Sequence, residues 1–433
     1  MRLIERLLAQ GLVLVSLAGG LGVFTYENIL LLDRLAQLCP LALFSWLVLS
    51  TRINFRWIRY VLLPVAGLAL FVLLYSYVFT LRTDASLLPS IFAARSYSYL
   101  LLGPVILMLY LRGWRLIDFQ RIFLAAALLA VVSLLVYDLA FAPRSLLLSG
   151  SFFSVHIGQL TDEGSTIKAT NTSLVFLVLY FGRRIFQVRD VPRFALMLMV
   201  LALSAVMLAI PLPRGLLAST GGALILYAAL LARPQRAKLS ALLLPLYALI
   251  IALSFPLLRD PFVSMLRFDQ NYWSRIAESQ IALSSFSEYP LFGFGQDSVY
   301  SLTYQDIFGH FYPSDIGMLG LAFQFGLVGV VLYFYLAGWL CVSLLGMVWD
   351  YTGRADPKES TFVWALFIVC LAFLVASPLQ AKFIYGTGLP VGAFAWGLLL
   401  ARRHSSSGVP VAEPSERRTT PAISSPGSRQ PLG

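Results

Sequence analysis

The chain is a succession of apolar runs, most of them about 17 to 25 residues long, the length an α-helix needs to cross the hydrocarbon of a bilayer. Twelve such runs can be placed, near 7–25, 32–50, 60–80, 92–111, 120–141, 172–187, 194–211, 215–232, 239–257, 316–347, 361–378 and 385–401. Charged residues make up 12% of the chain and hydrophobic residues 59%, which leaves too little polar surface to coat a soluble globule. Backbone inside lipid must satisfy its own hydrogen bonds. The expected fold is therefore all-α: a polytopic integral membrane protein of about 12 transmembrane helices, with the lipid bilayer as its surroundings.

The formal net charge of +11 is carried by basic residues in small groups between apolar runs. That pattern points to topogenic charge and excludes a nucleic-acid partner, which calls for a continuous basic face. With the N-terminus in the cytoplasm, the inner segments hold Arg2 and Arg6; Arg52, Arg56 and Arg59; Arg112, Arg115 and Arg121; Arg183, Arg184, Arg189 and Arg193; Arg233, Arg236 and Lys238; Arg354 and Lys358; and Arg402, Arg403, Arg417, Arg418 and Arg429. These are 22 of the 32 basic residues, and every inner connection is basic. Both termini are expected to be cytoplasmic.

The start, MRLIERLLAQGLVLVSLAGGLGVF, has the outline of a signal peptide, but its apolar run is long enough to span and many others follow. At the other end, residues 404–433 are rich in Ser, Pro and Arg and read as a disordered cytoplasmic tail behind a membrane domain of residues 1–403. Cys39, Cys341 and Cys370 share no metal-ligand spacing and lie inside apolar runs, as small buried hydrophobes do. No GxxxxGK[ST], HExxH or CxxC pattern occurs, so neither a metal nor another cofactor is expected.

One long polar excursion, residues 257–315, opens on the outer side between helices nine and ten. Connections that do no work tend to be short, so chemistry is expected here. Nearby, the turn between helices seven and eight is only PLPR, which sets Arg214 at the outer lip of the bilayer. A guanidinium there is either a snorkelling charge at the headgroups or a phosphate clamp. Within the excursion, NYWSRIAESQIALSSF carries Ile276, Ile281, Ala282 and Phe286 at roughly helical spacing, an amphipathic helix headed by Arg275. Taken alone, Arg275 reads as a surface charge paired with Glu278. YPLFGFG sets Gly293 and Gly295 one residue apart, a tight backbone whose amides can cradle an anion. SDIGMLGLAFQFGLVG then places Asp315 above Gly317, Gly320, Gly326 and Gly329, glycines that let another helix come close. Asp315 is either an N-cap or a general base, and His310 is the other candidate base of that lip. A second outer loop, residues 142–171, is able to cover the same cavity.

Taken together, PRGLLAST after a short outer turn, an Arg in YWSRIAESQIAL leading into YPLFGFG, and a Gly-spaced helix ending FGLVG resemble the O-antigen ligase and O-antigen polymerase superfamily of bacterial envelope glycan assembly. The resemblance covers about residues 200 to 335. It implies inverting, metal-independent glycosyl transfer at the outer face of the bacterial plasma membrane, from a glycan on undecaprenyl pyrophosphate. Arg214 and Arg275 match the arginines that hold the phosphates, and Asp315 or His310 stands where the base belongs. In the ligases a His lies eleven positions before the first Gly of the closing GxxG; here that position, counted back from Gly326, is Asp315. The expected activity is therefore polymerisation of O-antigen, capsule or exopolysaccharide repeats, with a chain-length regulator as an expected partner. The alternatives are a ligase and, from another class, a lipid-linked oligosaccharide transporter. Tyr272, Trp273, Tyr289, Tyr300 and Tyr304 either stack on sugars or anchor the loop at the interface.

Overall fold

A computed structural model describes residues 3–23, 30–50, 55–83, 86–141, 165–188, 190–209, 214–231, 271–296, 304, 307–309, 311–354, 356–378 and 380–406. The regular structure among them is helical. In chain order the α-helices are α1 (Leu3–Gly20), α2 (Leu30–Ser50), α3 (Phe55–Thr83), α4 (Leu87–Ala93), α5 (Leu102–Leu111), α6 (Leu116–Phe141), α7 (Ser165–Ile185), α8 (Val191–Ala209), α9 (Arg214–Leu231), α10 (Asn271–Glu288), α11 (Met318–Arg354), α12 (Pro357–Ala376) and α13 (Gly388–Ser406), with 3-10 turns at Ala94–Leu101 and Pro313–Ile316. Among the described residues six helical stretches are long and apolar enough to cross a membrane: Leu3–Gly20, Val61–Thr83, Ala94–Leu111, Leu116–Ser133, Met318–Tyr351 and Pro357–Ala376. The protein is an all-helical membrane protein. The ninth apolar run, the first part of the excursion, most of the second outer loop and the tail beyond Ser406 lie outside the described residues. Helix α13 itself continues past the expected domain boundary at residue 403.

The main core joins α1, α2, α5, α6, α7, α11, α12 and α13. Helices α5 and α13 come closest: a methyl group on Gly103 would strike the Trp396 ring, and one on Gly397 would meet Ile106 Cβ at 2.7 Å and the Gly103 carbonyl at 2.8 Å. Small residues at a crossing let backbones approach when lipid supplies no hydrophobic drive. Around Phe123 the rings of Phe176, Phe394 and Phe362 stand 4.7, 4.9 and 5.9 Å away, joining α6, α7, α13 and α12.

The helices meet end to end by chemistry. At one end Arg6 pairs with Asp118 at 3.1 Å, Arg402 pairs with Asp350, and Arg112 donates to Ser50 Oγ at 2.6 Å. Three arginines there lie over tryptophans: Arg183 on Trp364 at 4.7 Å, Arg403 on Trp339 at 5.0 Å and Arg112 on Trp46 at 5.5 Å. Helix α12 starts at this end with a strong local signal: Asp356 accepts from the Lys358 amide at 2.8 Å, and Pro357 follows at the first helical position.

The opposite end gathers the C-terminus of α3, the N-terminus of α7, the start of α11, the end of α12 and the loop before α13. Thr172 and Thr387 hydroxyls are 2.7 Å apart, and the Met318 amide faces the Pro378 carbonyl at 3.4 Å. Helix α9 runs antiparallel to α12, with Gly222 opposite Val375 and Tyr227 beside Phe367 and Trp364. Its first residue, Arg214, therefore belongs to this same end.

Candidate functional site

Helix α11 is broken at Gly326, whose φ of 62° and ψ of −166° interrupt the helix. The break redirects the chain. Met318 reaches Pro378 while Tyr333, fifteen residues on, hydrogen-bonds Ser377 at 2.7 Å. A straight helix would carry those two residues about 22 Å apart. Only the segment after Gly326 therefore runs on along α12, and the tenth apolar run bends at this glycine.

A helix break exposes carbonyls on one side and amides on the other, and each needs a partner where water is absent. The YPLFGFG loop supplies both. The amides of Phe294 and Gly295 donate to the carbonyls of Phe323 and Gln324, at 2.5 and 3.0 Å. In return, the amides of Leu327 and Val328 donate to the carbonyls of Pro290 and Leu291, at 2.8 and 3.2 Å. The Tyr75 hydroxyl donates to the remaining Phe325 carbonyl at 3.1 Å. The result is a reciprocal lock that depends on two glycines. Gly293 has φ +62°, and a Cβ on it would lie 2.5 Å from the Gly326 amide nitrogen; the reverse substitution at Gly326 would strike the Leu291 carbonyl.

This lock corrects three expectations. The loop amides are not an anion cradle: Gly293 donates to Tyr289, Phe294 and Gly295 donate as described, and Gln296 donates to the Tyr75 carbonyl at 3.0 Å. The glycines of α11 do not admit a second helix. Gly326 receives the loop, Gly320 faces the Pro313 carbonyl and Gly329 lies against Phe325 across the break. Nor does Asp315 sit at the N-cap of α11; Gly317 holds that place, its carbonyl accepting from the Leu321 amide at 3.0 Å, and Asp315 lies in the preceding 3-10 turn.

Over the lock sits a second, smaller aromatic core of Phe79, Ala282, Phe294, Tyr304, Phe311, Ile316 and Phe323, with Phe294 and Phe323 stacked at 5.3 Å. Beneath it is a buried polar chain. Tyr385 Oη donates to Gln324 Oε1 at 2.5 Å, Gln324 Nε2 donates to Tyr304 Oη at 3.2 Å, and Tyr304 Oη donates to the Gly295 carbonyl at 2.8 Å. Tyr304 is thus a structural post of the loop, with its ring in the small core.

Helix α10 packs on α11 and on the 3-10 turn, with Glu278, Ser279, Ala282 and Ser285 buried. The expected stripe of Ile276, Ile281 and Phe286 is only half-buried, because the small polar edge fits closest to α11. Glu278 is 3% exposed, whereas Arg275 stands half-exposed near the start of the helix. The side chains of Arg214, Asp315, Tyr272 and Trp273, and the whole of His310 and Tyr300, lie outside the described residues.

Arg82, in the last turn of α3, was not singled out by its sequence context, although it follows the same rule as Arg214: an Arg at the lip of an apolar helix. Its guanidinium lies 3.7 Å above the Tyr289 ring, at the first residue of the YPLFGFG loop. The Tyr289 hydroxyl is held above the usual phenol range by its hydrogen bond to Glu288, with burial and the Glu288 charge adding to it, so it remains a neutral donor. Tyr75, Gln324 and Tyr385 were missed as well; their only signal is a polar atom inside an apolar run. Among the described residues no three His, Cys, Asp or Glu side chains come together as a metal site would require.

No protein-family model matches the chain, and no curated protein matches it.

Proposed function

We propose that this end of the bundle transfers a glycan, on the non-cytoplasmic side of a bacterial inner membrane, from undecaprenyl pyrophosphate to the hydroxyl of an acceptor sugar, and so lengthens an O-antigen, capsule or exopolysaccharide chain. The observation that carries the reading is the lock between YPLFGFG and Gly326. It ties the end of α10, the helix that carries Arg275, to the region of the bundle at which α9 begins with Arg214, and so supports the reading. The ends gathered there are those the charge alternation assigns to the outside, and the arginine–tryptophan end is the one it assigns to the cytoplasm. Twelve spans with both termini cytoplasmic complete the proposed topology.

In the proposed reaction the acceptor oxygen attacks the anomeric carbon. The bond from that carbon to the pyrophosphate oxygen breaks, and the lipid pyrophosphate leaves with the electron pair. Negative charge grows on the leaving phosphate. Arg214 and Arg275, as planar guanidinium groups, stabilise that charge more in the transition state than in the ground state. Asp315 or His310 accepts the hydroxyl proton. Because the amides of Gly293, Phe294, Gly295 and Gln296 are engaged, the charge on the phosphates is assigned to side-chain cations. The test is incubation of the purified protein in nanodiscs with an undecaprenyl-pyrophosphate oligosaccharide. A ladder of longer lipid-linked products is expected. Unchanged donor, together with its movement across proteoliposomes, would assign the protein to transport.

A further inference from the structure

We infer that Arg82 is a third guanidinium of the outer site, a binding residue for an oxyanion of the substrate, with Tyr289 as its positioning residue. The inference rests on the glycosyl-transfer reading and adds to it a cation outside the resemblance.

The geometry makes the case. Arg82 closes α3, whose C-terminal turn favours a cation. Its guanidinium carbon lies 3.7 Å from the centre of the Tyr289 ring, a contact that holds its donors in place in advance. Glu288 is near enough to act on it electrostatically, yet no described carboxylate forms an ion pair with it. Its Nη1 is buried without a hydrogen-bond acceptor. A guanidinium with an unspent donor, half-exposed beside a loop whose amides from Gly293 to Gln296 are engaged, matches a phosphate or carboxylate oxygen. The loop lock keeps this cation at the end of the bundle shared by α9 and α10, since Gly295 abuts Phe79 one turn below Arg82.

Two ligand groups share this chemistry: the pyrophosphate of the lipid donor and the carboxylate of an acidic sugar. Binding of sugar-free undecaprenyl pyrophosphate and of a soluble uronate-containing oligosaccharide to the full-length protein in nanodiscs separates them. Arg82→Gln is expected to weaken one of the two probes by about tenfold or more. Arg82→Lys, which keeps the charge but loses the planar fork of donors, should recover only part of that loss and covers the case in which Arg82→Gln does not fold. Tyr289→Ala should weaken the same probe less, and Tyr289→Phe should restore it. Wild-type affinity of Arg82→Gln for both probes overturns the inference and leaves the glycosyl-transfer reading standing. Failure of the wild-type protein to bind either probe overturns both.

Discussion

Among the described residues stand two cores that are built differently. The main one, across α1, α2, α5, α6, α7, α11, α12 and α13, is a large apolar volume filled by Phe, Leu, Val and Ala side chains. The small one, around Phe294 and Phe323, rests on backbone hydrogen bonds exchanged between a loop and a broken helix. The first tolerates exchange of one apolar side chain for another of similar volume. The second does not, because its contacts are main chain on main chain with glycines where they touch. The candidate chemistry stands on the second, where positional precision is set by geometry that no neighbouring side chain can take over.

Substitutions that add one methyl group to the lock should have the largest effect. Gly293→Ala and Gly326→Ala each force a left-handed backbone, which costs about 1–3 kcal/mol, and each adds a collision with main chain. Chain extension should vanish while membrane insertion, followed by protease accessibility, stays normal; a Gly293→Ala protein that extends glycan at the wild-type rate breaks the comparison. Next comes Tyr75→Phe, which removes the donor to the buried Phe325 carbonyl. Its thermal midpoint should fall by the equivalent of about 1–3 kcal/mol. Leu366→Met in the main core should cost less than about 1.5 kcal/mol and leave product length unchanged on a glycan gel. At the bottom of the scale are Gly67→Ala and Gly338→Ala, whose added methyls meet nothing within 4 Å. There the midpoint should hold or rise by up to about 1 kcal/mol, and a loss as large as that at Gly293 would show that glycine content, rather than the lock, sets the sensitivity.

The same contrast explains what could be read from the residues alone. Apolar runs and their basic connections forecast helices over 92–111, 120–141 and 361–378; α6 and α12 begin and end within a few residues of the last two, whereas the first is 3-10 over Ala94–Leu101 and α-helical only from Leu102 to Leu111. The short PLPR turn placed Arg214 at a helix start because an apolar run resumes directly after it. Gly293, Gly295 and Gly326 were visible as unusual glycines, but their partners were not. Nothing in periodicity couples Phe294 to Phe323, or Tyr75 to a carbonyl 250 residues later, since such pairings are settled by which orphaned backbone groups a helix break leaves. Arg82 went unnoticed for a related reason: its ring partner, Tyr289, lies in a different part of the chain, and the contact exists only once α3 and the loop have met.

The central claim is that arginines at the locked end act on the leaving pyrophosphate. It is tested most directly by single-turnover extension of a lipid-pyrophosphate oligosaccharide by Arg214→Ala and Arg275→Ala proteins in nanodiscs. The account predicts no longer product from either variant, although both insert and melt as the wild type does. Wild-type extension by either one would contradict it.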